Sequence, residues 1–350
     1  MANPTVTRRV DGKAPLAVLK FGGTCVASET SRFAVCERIL ATVAAGWRVV
    51  VVVSAMGRRG APYATDTLLD LVTRECPGAA DADLAVAYIC GELLSAALVS
   101  SLLRSRGVAA ACLSGWQAGI ITTECPGDAA VADVRPQRLL DLLGEGVVAV
   151  VAGSQGVTDT GITTSLGRGG SDTTATALGV ALAADRVEIF TDTPGIFTAD
   201  PALEPLARPL TSISHRGCER YAALGAKVIH AKAVRLAAMR PELPVIVRSL
   251  ADDGRQTQIG DQGWLPPLFG MPLGVACRQA EASTARVSLV FEQQGAPTAA
   301  PGLQQALAAN GIAVLQWHCE DDCFSAWVPA EQSAAAVRTL HAVAFAVAHQ

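Results

Sequence analysis
"WRVVVVVSAMG", Trp47 to Gly57, decides the fold. Five consecutive valines leave the segment no polar face. A strand with one wet side alternates polar and apolar residues, whereas an unbroken apolar run is carried by a strand buried on both faces of a parallel sheet. Upstream, "PLAVLKFGG" (15–23) is a short apolar run that ends on two glycines, a strand followed by a tight turn. Between them, "SRFAVCERILATVAAG" (31–46) places apolar residues at helical spacing and stops on Gly46. Downstream come a long helical stretch with a central glycine (81–107), the strand "VAAACLSG" (108–115), the helix "RPQRLLDLLGEG" (135–146) and the strand "VVAVVAGSQGV" (147–157). The helix "TTATALGVALAA" (173–184) and the strand "RVEIFTD" (186–192) complete the rhythm. Strand alternating with helix predicts an α/β domain with a largely parallel sheet, whose ligands sit at the carboxyl ends of the strands.

The bulk composition narrows the classes. The chain has 350 residues, 50% hydrophobic and 17% charged, with a net charge of −4. It has no basic stripe, so no nucleic-acid partner is expected. No unbroken run reaches the roughly 18 apolar residues of a membrane span, so no membrane partner is expected either. The first fifteen residues lack an apolar signal core and read as a disordered lead. Ten cysteines are scattered without a CxxC pair, as befits reduced thiols in a cytoplasmic protein. "HCEDDC" (318–323) fits no common zinc spacing and reads as a polar turn between strands, so no metal site is expected.

Past "LPVIVRSL" (243–250) the pattern changes. Residues 256–275 are rich in glycine, proline and polar side chains and read as a linker. Residues 276–350 then give strand (285–293), helix (300–311), two strands (312–321 and 323–331) and helix (332–347), a small α+β module of ferredoxin-like type.

Two glycine-rich turns carry the chemistry. "KFGGTCV" (20–26) and "GRGGSDTTA" (167–175) expose backbone N–H groups at strand ends and helix starts, where phosphate binds. Neither is a Walker loop or a dinucleotide fingerprint. Lys20, at a strand end beside glycines, can neutralise a phosphoryl group in transfer; it can also be a snorkelling surface lysine. Arg168 can hold a carboxylate with its fork. Asp172 can orient a site or merely cap a helix.

"LKFGGTCVAS" (19–28), "VVVVSAMG" (50–57) with "PYATDTLLDLV" (62–72), "GELLSAALV" (91–99), "LSGWQAGIIT" (113–122), "SLGRGGSDTTATALG" (165–179), "IFTDTPGIFTADP" (189–201) and "LGAKVIHAKAV" (224–234) stand in the order found in aspartokinases. Over residues 16–255 the chain resembles a bacterial aspartokinase of the amino-acid-kinase fold, and the later module resembles one ACT domain. The resemblance implies transfer of a phosphoryl group from ATP, carrying Mg2+, to the side-chain carboxylate of L-aspartate. It makes Lys20 and Asp172 catalytic. Ser54, Thr65, Glu92, Arg168 and Ser171 would bind the amino acid, Glu92 through its ammonium. Gly22, Gly23, Thr24, Thr191, Asp192, Phe197 and Lys227 would bind the nucleotide. A homodimer is implied as well.

The chain departs from the family at Ala202, where an arginine is usual, at Ala231 and Lys232 in place of "PR", and at Cys25 in place of serine. The first two departures question nucleotide affinity. The ACT region has room for one module rather than two, which predicts weak or absent inhibition by lysine or threonine. Two alternatives stay open: a non-catalytic binding homologue, and a kinase that forms an acyl phosphate on another amino acid.

Overall fold
In the computed structural model, residues 14–226, 229–252, 254–260 and 271–345 are described. In chain order the elements are β1 (Leu16–Phe21), α1 (Gly23–Val26), α2 (Glu29–Ala44), β2 (Arg48–Val53), α3 (Thr65–Glu75), α4 (Asp81–Ser105), β3 (Ala110–Leu113), β4 (Ile120–Thr122) and β5 (Val131–Val134). There follow α5 (Gln137–Gly144), β6 (Val148–Ala152), β7 (Gln155–Val157), β8 (Thr163–Ser165), α6 (Gly170–Ala181), β9 (Arg186–Thr191), β10 (Ser212–Ile213), α7 (His215–Ala223), α8 (Ala231–Ala238) and β11 (Val245–Ser249). The rest are β12 (Gln256–Ile259), β13 (Pro272–Glu281), β14 (Thr284–Phe291), α9 (Ala296–Ala309), β15 (Gln316–Glu320), β16 (Cys323–Pro329) and α10 (Ser333–Phe345). The chain forms two compact units, Met1–Pro194 with Lys232–Gly254, and Gly195–Ala231 with Arg255–Gln350.

In the first unit the strands run β11-β9-β1-β2-β6-β3, every neighbouring pair parallel. The valine run forms β2, and Val49 to Val53 are all buried. Its core packs Leu19, Phe21, Val51, Val53, Ile39, Val99 and Phe190 together. Because the strands are parallel, β1, β2, β6 and β9 all end on one edge, at Phe21, Val53, Ala152 and Thr191. A second, four-stranded sheet, β5-β4-β7-β8, is built of strands three or four residues long.

By length and composition helix α4 could cross a membrane, although no uninterrupted apolar run announced it. Here one side of it is buried, including Ala85, Ile89, Gly91, Glu92, Ser95, Ala96 and Val99. Gly91 explains how close it comes to the loop after β2. A Cβ there would stand 2.6 Å from both the Ala55 Cβ and the Tyr63 carbonyl oxygen. The next residue, Glu92, is thereby delivered to that loop.

In the second unit, the antiparallel sheet β13-β14-β16-β15 shares a core with α9 and α10 through Val287, Leu289, Leu303, Leu307, Phe324, Val337 and Leu340. Strand, helix, two strands and helix follow as read from sequence. The fourth sheet position is taken by β13, which begins in the presumed linker and runs into the module. Much of the presumed linker 256–275 is therefore strand: β12 buries Thr257 and Ile259 and pairs with β10, and β13 starts at Pro272. Residues 261–270 lie outside the described residues, as does the lead 1–13. The segment before β10 is held by the module. Ala199 joins its core, and Thr198 Oγ1 lies 2.9 Å from His341 Nε2 on α10.

Candidate active site
Lys20 belongs to β1, where Val52 of β2 and Ile189 of β9 are its strand neighbours. A lysine so deep in a sheet needs a counter-charge. Asp172 supplies it: Lys20 Nζ lies 2.6 Å from Asp172 Oδ1, with the two side chains 9% and 14% exposed. This settles two local alternatives. Lys20 does not snorkel to the surface. Asp172 does not cap α6 either, because the N-cap is Gly169 at φ +69°, with no side-chain cap. The ammonium also sits beside bare backbone, since a Cβ on Gly22 would be 3.7 Å from Lys20 Nζ. Gly22 N–H donates to the Phe190 carbonyl at 3.1 Å, which closes the turn from β1 onto β9.

Beside this pair opens a cavity of about 590 Å³ lined by residues from four elements and the turns between them. Ser54, Thr65, Glu92, Arg168 and Ser171 all line it, as does Gly23. Ser54 Oγ and Ser171 Oγ are 2.8 Å apart, which joins the end of β2 to the first turn of α6. The same turn of α6 carries Asp172, so the cavity and the Lys20 pair share one wall.

Glu92 is the most perturbed group in the wall. It is 2% exposed, and burial pushes its carboxyl from 4.5 up to about 8. Its own backbone, the Ala55 backbone and the nearby Ser154 side chain oppose that rise. Its Oε2 is buried without a hydrogen-bond partner. A buried carboxylate oxygen without a donor is a receptor for a cation carried by a ligand. Arg168, in contrast, is exposed and makes no ion pair among the described residues. Gly167 and Gly169 flank it, both at φ +69°. Tyr88 OH donates to the Gly167 carbonyl at 2.9 Å, and Lys232 Nζ reaches Asp128 at 2.5 Å and the Leu166 carbonyl at 3.3 Å. The loop is pinned on both sides while the guanidinium remains available. Lys232, expected on the nucleotide side, thus braces the arginine loop.

The remaining candidates are spread more widely. Thr24 is exposed on the short α1. Thr191 closes β9, and its hydroxyl donates to Asp192 at 3.0 Å. Asp192 pairs with Arg58, which lines the cavity. Phe197 belongs to the second unit, where its carbonyl accepts from Tyr221 OH at 3.0 Å. Lys227 lies outside the described residues. Arg58, Arg59, Asp66, Tyr88 and Ser154 line the cavity and were not singled out from sequence. For Ser154 one could have asked why a serine stands between glycine and glutamine at a strand end; for the rest no local signal existed. Among the described residues, no group of three or more His, Cys, Asp or Glu side chains is placed to hold a metal.

Residues 15–249 match the amino acid kinase family. The chain belongs to the amino acid kinase family. This family member is 41% identical over 244 residues to aspartokinase 1 of Bacillus subtilis (strain 168), covering 70% of this chain and 60% of that protein. It is 44% identical over 276 residues to the aspartokinase of Mycolicibacterium smegmatis, covering 78% and 64%. It therefore spans less than two thirds of these relatives. Among solved structures, aspartate kinase from Synechocystis is 34% identical with a TM-score of 0.61, covering 96% of this chain and 56% of that one. E. coli aspartokinase III in complex with aspartate and ADP has a TM-score of 0.65 over 91% and 80% of the two chains. At 24% identity that likeness bears on the fold alone.

Proposed function
We propose that this amino acid kinase is an aspartate kinase, which moves the γ-phosphoryl group of Mg-ATP onto the side-chain carboxylate of L-aspartate. The observation that carries the reading is the Lys20–Asp172 pair standing beside a cavity with a buried, partnerless glutamate oxygen in one wall and an unpaired arginine in another. Glu92 takes the substrate ammonium and Arg168 its α-carboxylate, so a head group is recognised at two points. Ser54, Thr65 and Ser171 offer hydroxyls around it. The side-chain carboxylate is already ionised at neutral pH and needs no general base. Catalysis is then alignment and charge neutralisation. Lys20 neutralises the phosphoryl oxygens, Asp172 fixes the lysine, and Gly23 and Thr24 offer backbone donors to phosphate, the Gly22 N–H being committed to the Phe190 carbonyl. Thr191, Asp192, Phe197 and Lys227 are assigned to the nucleotide by family resemblance.

The module formed by β13 to α10 is read as an ACT-type domain, and ten free thiols suit a reducing cytoplasm.

Trapping acyl phosphate with hydroxylamine tests the proposal. Aspartyl hydroxamate formed from ATP, magnesium and L-aspartate, and lost in Lys20→Ala, is the expected result. Hydroxamate from glutamate instead would reassign the substrate. None from either amino acid, in folded protein, would leave a binding homologue. Lysine and threonine added to the same assay report on feedback.

A further inference from the structure
The glycine turn after β1 is clasped on both flanks. On one side the Gly22 N–H donates to the Phe190 carbonyl at 3.1 Å, near the end of β9. On the other the Gly57 N–H, in the loop after β2, donates to the Gly23 carbonyl at 3.0 Å. Bare backbone makes the second clasp possible: a Cβ on Gly23 would stand 2.6 Å from the Ala55 carbonyl oxygen and 2.9 Å from that of Gly57. Arg58 follows Gly57, and Asp192 lies two residues beyond Phe190. Their ion pair therefore closes a ring of contacts through Gly22, Phe190, Asp192, Arg58, Gly57 and Gly23. Arg58 also lines the cavity, with Ser54, Glu92 and Ser171. It stands where the phosphate turn and the amino-acid cavity meet.

The charge balance singles it out. Lys20 is already matched by Asp172 at 2.6 Å. Of the other cations, which line the cavity, Arg168 is assigned to the substrate α-carboxylate, and Arg59 is held by Asp66 and Asp70. Arg58 pairs with Asp192 out in solvent, the two side chains being 73% and 47% exposed. An ion pair so exposed adds little stability and exchanges readily for a stronger one. An arginine fork on phosphate is stronger, with two parallel charge-assisted hydrogen bonds.

We propose that Arg58 is a catalytic residue: when nucleotide binds, its guanidinium leaves Asp192 and holds the γ-phosphoryl group at the mouth of the cavity, with Lys20 as the second cation. The proposal rests on reading the cavity as the amino-acid site and the turn as the phosphate site. In the transfer a substrate carboxylate oxygen bonds to the γ-phosphorus as the bond to the β,γ-bridging oxygen breaks. ADP leaves with that electron pair, and no proton moves. Two anions must meet for this, and a cation at their junction offsets the repulsion.

Calorimetry with ADP and with the non-hydrolysable β,γ-imido analogue of ATP, both with magnesium, tests the assignment. Arg58→Met should weaken the analogue roughly tenfold and ADP by less than about twofold, because the lost fork serves the γ-phosphate. In the hydroxamate assay the same variant should lose roughly 10- to 100-fold in kcat, with KM for L-aspartate within about twofold. Arg58→Lys should recover part of both losses, since the charge returns without the fork. The melting midpoint should stay within about 2 °C of wild type, as befits an exposed pair. A surface pair with no further role predicts wild-type behaviour in every arm, and that result would overturn the proposal. Equal weakening of the analogue and ADP would overturn it too. If wild type forms no aspartyl hydroxamate, the aspartate reading falls, and the two nucleotide titrations still decide what Arg58 does. A wild type that binds neither nucleotide sinks the proposal together with the phosphate reading.

Discussion
Substrate affinity should depend steeply on pH through Glu92. Its carboxyl titrates at about 8 because burial disfavours the charge. An ammonium ligand needs the ionised form, so apparent affinity scales with the ionised fraction. That fraction is about 3% at pH 6.5 and about 76% at pH 8.5, so KM for L-aspartate should fall about 25-fold across the interval. Stability should move the other way in the ligand-free protein. Glu92 has a raised folded-state pKa, so the folded protein keeps a proton that the unfolded chain loses above pH 4.5. Stability is full below that value and declines as pH rises to about 8. At about 1.4 kcal/mol per pH unit, the loss is about 5 kcal/mol. Glu92→Gln, neutral at every pH, removes both trends. It should lie progressively above wild type in stability between pH 5 and 8, by up to about 5 kcal/mol, and should bind L-aspartate weakly with no pH slope. Initial rates give KM, and urea unfolding without ligand gives stability. A wild-type KM flat within twofold from pH 6.5 to 8.5, or a slope that survives in Glu92→Gln, would refute the reasoning.

Lys20→Met should lower kcat by about 10²–10³-fold, since one charge-stabilising donor is lost, while L-aspartate binding measured by calorimetry stays near wild type. Asp172→Asn should impair kcat more than KM, because Lys20 loses its 2.6 Å partner but the cavity wall keeps its shape; a change confined to KM would contradict the assignment. Tyr88→Phe deletes the hydrogen bond to the Gly167 carbonyl and should raise KM for L-aspartate by several-fold, equivalent to roughly 1 kcal/mol, through a looser arginine loop. Gly91→Ala forces a Cβ against Ala55 and the Tyr63 carbonyl and should lower stability by roughly 1–3 kcal/mol, read from the urea midpoint.

The parallel sheet was legible because burial on both faces writes itself locally: β2 is all valine after Arg48, and no register or partner is needed to see it. The Gly-rich turns were legible for a similar reason, since close backbone approach excludes other residues. Short elements were not. The strands of the small sheet have three or four residues, too few for a period to show. Strand β13 buries its first half and exposes its second, so it neither alternates nor runs apolar, and it follows a glycine- and proline-rich stretch that reads as linker.

The candidate site divides the same way. Lys20, Arg168 and Asp172 could be picked out with their neighbours, because charges among glycines are conspicuous in one dimension. What each of them does there depends on distance. That Lys20 meets Asp172 rather than solvent follows from β1 lying inside the sheet, next to the start of α6. The pairing of Arg58 with Asp192 joins residues 134 positions apart. Glu92 reads in sequence as one more polar residue on a helix, and its raised pKa exists because Gly91 lets that helix press against the loop after β2. Ser154 is an ordinary serine until the Thr174 hydroxyl and the Leu166 N–H hold its backbone at positive φ. The sequence by itself determined which segments bury themselves and where the backbone is bare, since both are local properties of side-chain size and polarity. Which charges are paired, which are left for a ligand, and which proton is held at neutral pH were decided by the tertiary structure, because desolvation and Coulomb energy depend on separations in space that no local pattern encodes.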